Sequence, residues 1–251
     1  MTARIKKQRI DKLVVELKLA DTRQRAQALI MAGKILVNET PVTKAGTKID
    51  PESIIRVKGE VNPFVSRGGI KLDGALTALN INVENKIILD VGASTGGFTD
   101  CCLKRGATTS YAVDVGTNQL AYSLRTDPRV KSFEKTNARD ILPSMFDKPA
   151  DIAVIDVSFI SITKVLNAVS DCLCDTGEII AMVKPQFEVG RDKVGKGGVV
   201  RNDSDRLGAV KTVVDFAEAN GFKCTGTSES SIAGPKGNRE IFIHLKKTGT
   251  S

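Results

Sequence analysis

The 251-residue sequence has no Trp, two Tyr and one His. Such a core is packed mainly from aliphatic side chains, and large aromatic platforms for stacking bases are not expected. The lone His244 stands in the strand-like run IFIHLKK, apart from any cluster of Cys or carboxylates. A structural role is expected for it, and no metal site. Five cysteines are present, and neither the adjacent Cys101–Cys102 nor Cys172–Cys174 has the spacing of a zinc knuckle or a redox pair. Reduced thiols and a cytoplasmic protein are the corresponding expectation. No apolar run approaches the roughly 20 residues that span a bilayer, and no signal peptide is visible, so no membrane partner is expected.

Positive charge is plentiful but uneven. The formal net charge is +8, and residues 1–62 alone hold 13 Lys+Arg against 7 Asp+Glu. A compact basic segment fits a polyanionic partner, although solubility alone can also explain it.

Residues 1–58 read as two short helices followed by short strands. Ile10, Leu13, Val14 and Leu17 recur at helical spacing. A second helix is expected from the N-cap Asp21, with Gln24 as its capping-box partner, Ala26, Leu29 and Ile30 facing inward, and Gly33 ending it. Arg23, Arg25 and Lys34 fall off its apolar face, where guanidinium groups can grip phosphates. GEVNPF, residues 59–64, reads as a linker.

From residue 65 to 251 helix and strand patterns alternate. IILDVG (87–92), SYAVDVG (110–116), DIAVIDV (151–157) and EIIAMVK (178–184) fit buried parallel strands. Helical stretches lie at 118–125 and 161–174, which gives a doubly wound α/β sheet. KCTGTSESSI and REIFIHLKK then predict a terminal antiparallel hairpin with a short Gly-containing loop. Residues 187–203, rich in Gly and charge, read as a mobile loop.

The glycine-rich stretch Asp90-Val91-Gly92-Ala93-Ser94-Thr95-Gly96-Gly97-Phe98-Thr99 joins a strand to a helix. Glycines there let the backbone approach a ligand. The order G-x-x-x-G-G departs from the dinucleotide fingerprint G-x-G-x-x-G. Asp114 ends the next strand, where a carboxylate can accept two hydrogen bonds. Four further polar residues stand where such a sheet presents its active face. Lys71 lies in SRGGIKLDGAL, off a stripe of Leu72, Ala75, Leu76 and Leu79. Asp156 and Lys184 end strands, and Glu240 opens one.

Two resemblances follow. Residues 9–46, with Arg9-Ile10-Asp11, the Arg23–Ile30 helix, Gly33, Val37-Asn38 and Lys44-Gly46, resemble the small α+β RNA-binding domain of the αL type. That resemblance implies structured RNA as ligand and Arg9, Arg23, Arg25 and Lys34 as its contacts. The turn at 90–99 resembles the first motif of class I, Rossmann-like methyltransferases, in which it wraps S-adenosylmethionine. This implies Asp90, Gly92, Ala93, Ser94, Thr95, Gly96, Gly97, Phe98, Asp114, Asn137, Ala138, Asp140 and Asp156 as cofactor-binding residues. The set Lys71, Asp156, Lys184, Glu240 resembles the catalytic tetrad of FtsJ-like RNA ribose 2′-O-methyltransferases. RGGxKL, DVGASTGGFTD, VIDVSFIS, VKPQFE and GNREIF resemble the TlyA family, described both as hemolysins and as rRNA cytidine-2′-O-methyltransferases. The partner so implied is rRNA or a ribosomal subunit.

A ribose hydroxyl needs positioning and a proton acceptor. A lysine serves as base only when burial or a second cation lowers its pKa. The resemblance assigns that role to Lys184, with Lys71 as the second cation and Asp156 and Glu240 orienting. Three other readings use the same residues differently: a membrane-active hemolysin, a non-catalytic RNA-binding assembly factor, and another RNA-modifying enzyme with this front domain. The four polar residues can also form an ion-pair network alone.

Overall fold

The computed structural model describes residues 7–58, 62–234 and 237–248, and the chain divides into two compact units, Met1–Val61 and Asn62–Ser251. In the first unit β1 (Gln8–Arg9) leads into α1 (Ile10–Glu16), followed by α2 (Arg23–Met31). Then come β2 (Ile35–Val37), β3 (Thr40–Val42), β4 (Lys48–Ile49) and β5 (Ile55–Val57). β2 is the centre of a three-stranded antiparallel sheet with β3 and β5, and β1 pairs with β4. Ile10, Val14, Ala26, Ile30 and Ile35 close the core. Leu17, expected on the apolar stripe, is 49% exposed, because α1 ends at Glu16. The α2 cap is Thr22, whose hydroxyl accepts from Arg25 N at 3.1 Å, rather than Asp21. Gly33 has a φ of +66° and ends the helix as expected.

The second unit opens on α3 (Arg67–Ala78) and continues through β6 (Ile87–Val91), α4 (Gly97–Lys104), β7 (Thr109–Val113), α5 (Tyr122–Arg125) and β8 (Val130–Phe133). β9 (Ala150–Ile155), α6 (Leu166–Asp171), β10 (Leu173–Val183), α7 (Pro185–Glu188), α8 (Asp203–Ala219), β11 (Phe222–Glu229) and β12 (Ile241–Lys247) complete it. The sheet order is β11-β12-β10-β9-β6-β7-β8. β8 through β10 run parallel, and β12 is antiparallel to both β10 and β11. Strand order reverses beside β6, so the C-terminal ends of β6 and β9 form the crevice where such sheets bind ligands. Apolar side chains fill both sheet faces, with Tyr111, Ile155 and Ile179 on one and Leu72, Ile88 and Phe242 on the other.

Several details differ from the sequence expectation. Of the expected linker, residues 59–61 lie outside the described residues, and Phe64 is buried in the core of the second unit. Residues 230–240, between the hairpin strands, make a longer connection than a tight turn. Residues 187–203 have internal structure: the end of α7, a 3₁₀ turn at Arg191–Lys193 and a bridge between Gly195 and Val199. Asn238 fastens this stretch, accepting from Val200 N at 3.0 Å and donating to Gly198 O at 2.8 Å. All five cysteines are free, and His244 lies buried between Thr225 Oγ1 and Glu178 Oε2, at 2.8 and 2.7 Å.

Candidate active site

The turn after β6 is shaped from within. Asp90 is fully buried, and its Oδ2 accepts from Thr99 N at 2.9 Å and Thr99 Oγ1 at 2.7 Å. It therefore ties the end of β6 to α4. Burial pushes its carboxyl up to about 7, and the nearby Asp156 adds to that. Gly92 has a φ of +88°, and a Cβ there would lie 2.6 Å from Asp156 O. Gly96, at φ +93°, leaves room for Leu120 and Leu124.

Three adjoining clefts, of about 340, 610 and 490 Å³, open along this edge. Gly92, Ala93, Ser94, Thr95, Gly97 and Phe98 line the first, together with Ser66, Arg67 and Gly68 at the start of α3. Gly92, Ser94, Asp114, Asn137 and Ala138 line the second, with Gln119 and Thr136. Asp114 accepts from Ser94 N at 2.8 Å and from Gly116 N at 2.7 Å, one bond per carboxylate oxygen, so each oxygen keeps a further lone pair. Asp90, Gly96 and Asp140 do not line these clefts. The first two hold the turn from behind. Asp140 is exposed beyond the cleft rim, its backbone turned back onto Asn137 O.

The third cleft gathers the four polar residues: Lys71, Asp156, Lys184 and Glu240 all line it. They are arranged as two ion pairs. Lys71, buried on the inner face of α3 rather than off it, pairs with the buried Glu240. Lys184 Nζ lies 2.5 Å from Asp156 Oδ1 and donates to Ser158 Oγ at 2.8 Å. Each lysine thus has its own carboxylate. Lys71 also lines the first cleft, and Asp156 lines all three. Asp156 is placed there by its backbone, since its N–H donates to Val91 O at 2.9 Å.

One aromatic pair stands at the third cleft, a feature that the low aromatic content did not point to. Phe159, at φ +65°, is 90% exposed on the cleft and lies 5.1 Å from Phe187, ring centre to ring centre. Composition hid this pair, although both phenylalanines sit inside the motifs DVSFIS and VKPQFE. Glu188 joins their segments, accepting from Ser161 Oγ at 2.5 Å and Ile162 N at 2.9 Å.

In the front unit Arg9 and Arg23 converge on Asp11 and remain about half exposed. Arg25 and Lys34 lie on and after α2. Among the described residues no group of His, Cys, Asp or Glu is placed to hold a metal ion, and no helix is long and apolar enough to cross a membrane.

Residues 64–247 match the FtsJ-like methyltransferase family, and residues 8–55 match the S4 domain. The 16S/23S rRNA (cytidine-2′-O)-methyltransferase TlyA of Mycobacterium tuberculosis is 44% identical over 239 residues, covering 95% of this chain and 89% of that protein. Hemolysin A of Brachyspira hyodysenteriae is 44% identical over 238 residues, covering 94% and 99%. A solved structure from Streptococcus thermophilus, described as a hemolysin, superposes with a TM-score of 0.75 at 45% identity, covering 98% of this chain and 90% of that one. The chain belongs to the FtsJ-like methyltransferases, in the TlyA family, with an S4 domain at its front.

Proposed function

We propose that the protein transfers a methyl group from S-adenosylmethionine to the ribose 2′-hydroxyl of a cytidine in ribosomal RNA. One observation carries this reading: Asp156 and Lys71 line both the cleft beside the glycine turn and the cleft holding Lys184 and Glu240. A donor in one and a ribose in the other would meet at these side chains. The turn fits the donor, since the spare lone pairs of Asp114 suit two ribose hydroxyls and Asn137 and Ala138 lie where an adenine edge would follow.

S-adenosylmethionine supplies a methyl group already made electrophilic by its sulfonium. The chain supplies position and a proton acceptor. Lys184 Nζ would take the hydroxyl proton as the methyl group passes from the sulfur, which is left as a neutral thioether, to the ribose oxygen. Because the amine accepts only when unprotonated, the pair with Asp156 must first release a proton. Asp156 orients Lys184, and the Lys71–Glu240 pair holds the hydroxyl from the other side. The S4 domain supplies affinity for the RNA, and Phe159 offers a face against which a base can stack.

Incubation with isotopically labelled donor and ribosomal subunits, followed by mass-spectrometric mapping, tests this. The label is expected on a cytidine ribose, in large-subunit RNA first and small-subunit RNA second, and absent with Lys184→Ala. A wild-type protein that binds donor and RNA yet leaves every ribose unlabelled is a binding factor, and the reading falls.

A further inference from the structure

One carboxylate organises the basic face of the front unit. The Asp11 side chain is completely buried, yet it accepts four hydrogen bonds from side chains that reach it from different elements. Arg9, ahead of α1, gives two, from Nε to Oδ1 at 2.9 Å and from Nη2 to Oδ2 at 3.0 Å. Arg23, at the start of α2, gives one from Nε at 2.9 Å, and Gln27, one turn further, gives one at 3.1 Å. The two arginine side chains remain 43% and 52% exposed. Gly46 flanks the Arg9 guanidinium, and a Cβ there would touch its Nη1 at 3.7 Å.

Two like charges are thus held side by side at the surface by one buried counter-charge. Asp11 occupies the inner edge of each guanidinium, which turns terminal N–H groups of both outward. Planar, fixed donors of this kind suit the oxygens of a phosphate, and fixing them beforehand removes the entropy lost when long side chains are ordered on binding.

We propose that Arg9 and Arg23 form one site for a single RNA phosphodiester, and that Asp11 is the positioning residue that builds it. The proposal rests on the reading of the front unit as RNA-binding and adds to it a geometry and a residue of the opposite sign. The arginine hydrogen bonds hold the Asp11 carboxyl well below the usual carboxylate range, so the clamp persists through the physiological pH span.

The sign of one substitution separates this from simple charge attraction. Asp11→Asn removes a negative charge from a basic face, which by attraction alone strengthens RNA binding. The clamp requires the reverse. In the full-length protein, titrated with a ribosomal RNA transcript at several salt concentrations, Asp11→Asn is expected to bind about tenfold more weakly. Arg9→Ala with Arg23→Ala should weaken binding at least as much and flatten the salt slope by about one unit. Asp11→Asn should add nothing further in that double-alanine background. Equal or tighter binding by folded Asp11→Asn overturns the clamp. Unchanged binding by the double-alanine variant overturns it together with the assignment of these arginines to RNA. Should Asp11→Asn fail to fold, Arg9→Lys with Arg23→Lys keeps the charge and removes the forks. The clamp expects it to bind as weakly as the double-alanine variant, and wild-type affinity there overturns it.

Discussion

At Lys184 the ammonium reaches two oxygens at once, Asp156 Oδ1 at 2.5 Å and Ser158 Oγ at 2.8 Å, so its direction is fixed before any substrate arrives. Lys184→Ala is expected to lower single-turnover methyl transfer by about 10²–10⁴ while donor and RNA affinities stay within a few-fold. Lys184→Arg should not restore the rate, because a guanidinium stays protonated. Near-wild-type transfer by the arginine variant would show that Lys184 acts only as a charge. Asp90 gives a second test at this scale. Its folded pKa, about 7, lies above the ordinary carboxylate value near 4, so its contribution to stability is fully present below about pH 4. That contribution is lost at about 1.4 kcal/mol per pH unit as the pH rises toward 7. Asp90→Asn removes this dependence, and its denaturation midpoint should gain on wild type between pH 5 and pH 8. A constant difference across that range counts against a buried, titrating Asp90. Both residues were legible as chemistry, since each ends a hydrophobic strand. Their surroundings were not. Asp90 faces inward onto Thr99, and Lys71, which residue spacing placed off the apolar stripe of α3, is buried.

Among the elements, the turn between β6 and α4 was the most readable, because three glycines in six residues mark a backbone that has to pass close to something. What it passes was hidden. A Cβ at Gly92 would meet the carbonyl of Asp156, just past the end of the neighbouring strand β9, rather than only a ligand. Gly92→Ala is therefore expected to destabilise the fold by about 1–3 kcal/mol and to weaken S-adenosylmethionine binding. Calorimetry and thermal unfolding should show both effects together, and a variant with both unchanged would refute the close approach. The terminal strands and the alternation of helices were likewise legible from hydrophobic runs. Residues 187–203 were not, because their order comes from the Asn238 carboxamide, some forty residues away, and composition carries no such long-range bond. Phe159 was missed for a related reason, since overall aromatic scarcity says nothing about where one ring is displayed. Phe159→Ala should lower kcat/KM for RNA by about tenfold, the decrease expected of one stacked base, with donor affinity unchanged. Equal kcat/KM for the two proteins would remove the stacking role.

At the scale of the whole chain, the charge asymmetry coincides with the division into units. Residues 1–62 hold a net excess of six basic residues, while the remainder is close to balanced, so the two activities required of the protein separate along the sequence. The glycine turn after β6, Asp114 and all four polar residues of the third cleft lie in the second unit. Phe64 and Val65 belong to it as well, packing against its core, and Val65 N donates to Asp100 at 2.8 Å. A chain beginning at Asn62 keeps this packing and should bind S-adenosylmethionine with the affinity of the full protein, measured by calorimetry. Its RNA affinity should fall, and the dependence of that affinity on salt should flatten, because every phosphate that the front unit neutralises contributes nearly one unit to the slope of log affinity against log salt. The rate at saturating RNA should fall less than the affinity, since Lys71, Asp156, Lys184 and Glu240 all remain. A truncated protein with full-length RNA affinity and salt slope would move recognition into the second unit. One that no longer binds the donor while still folded would show that the front unit helps to build the donor site, a coupling that the composition of the two units does not require.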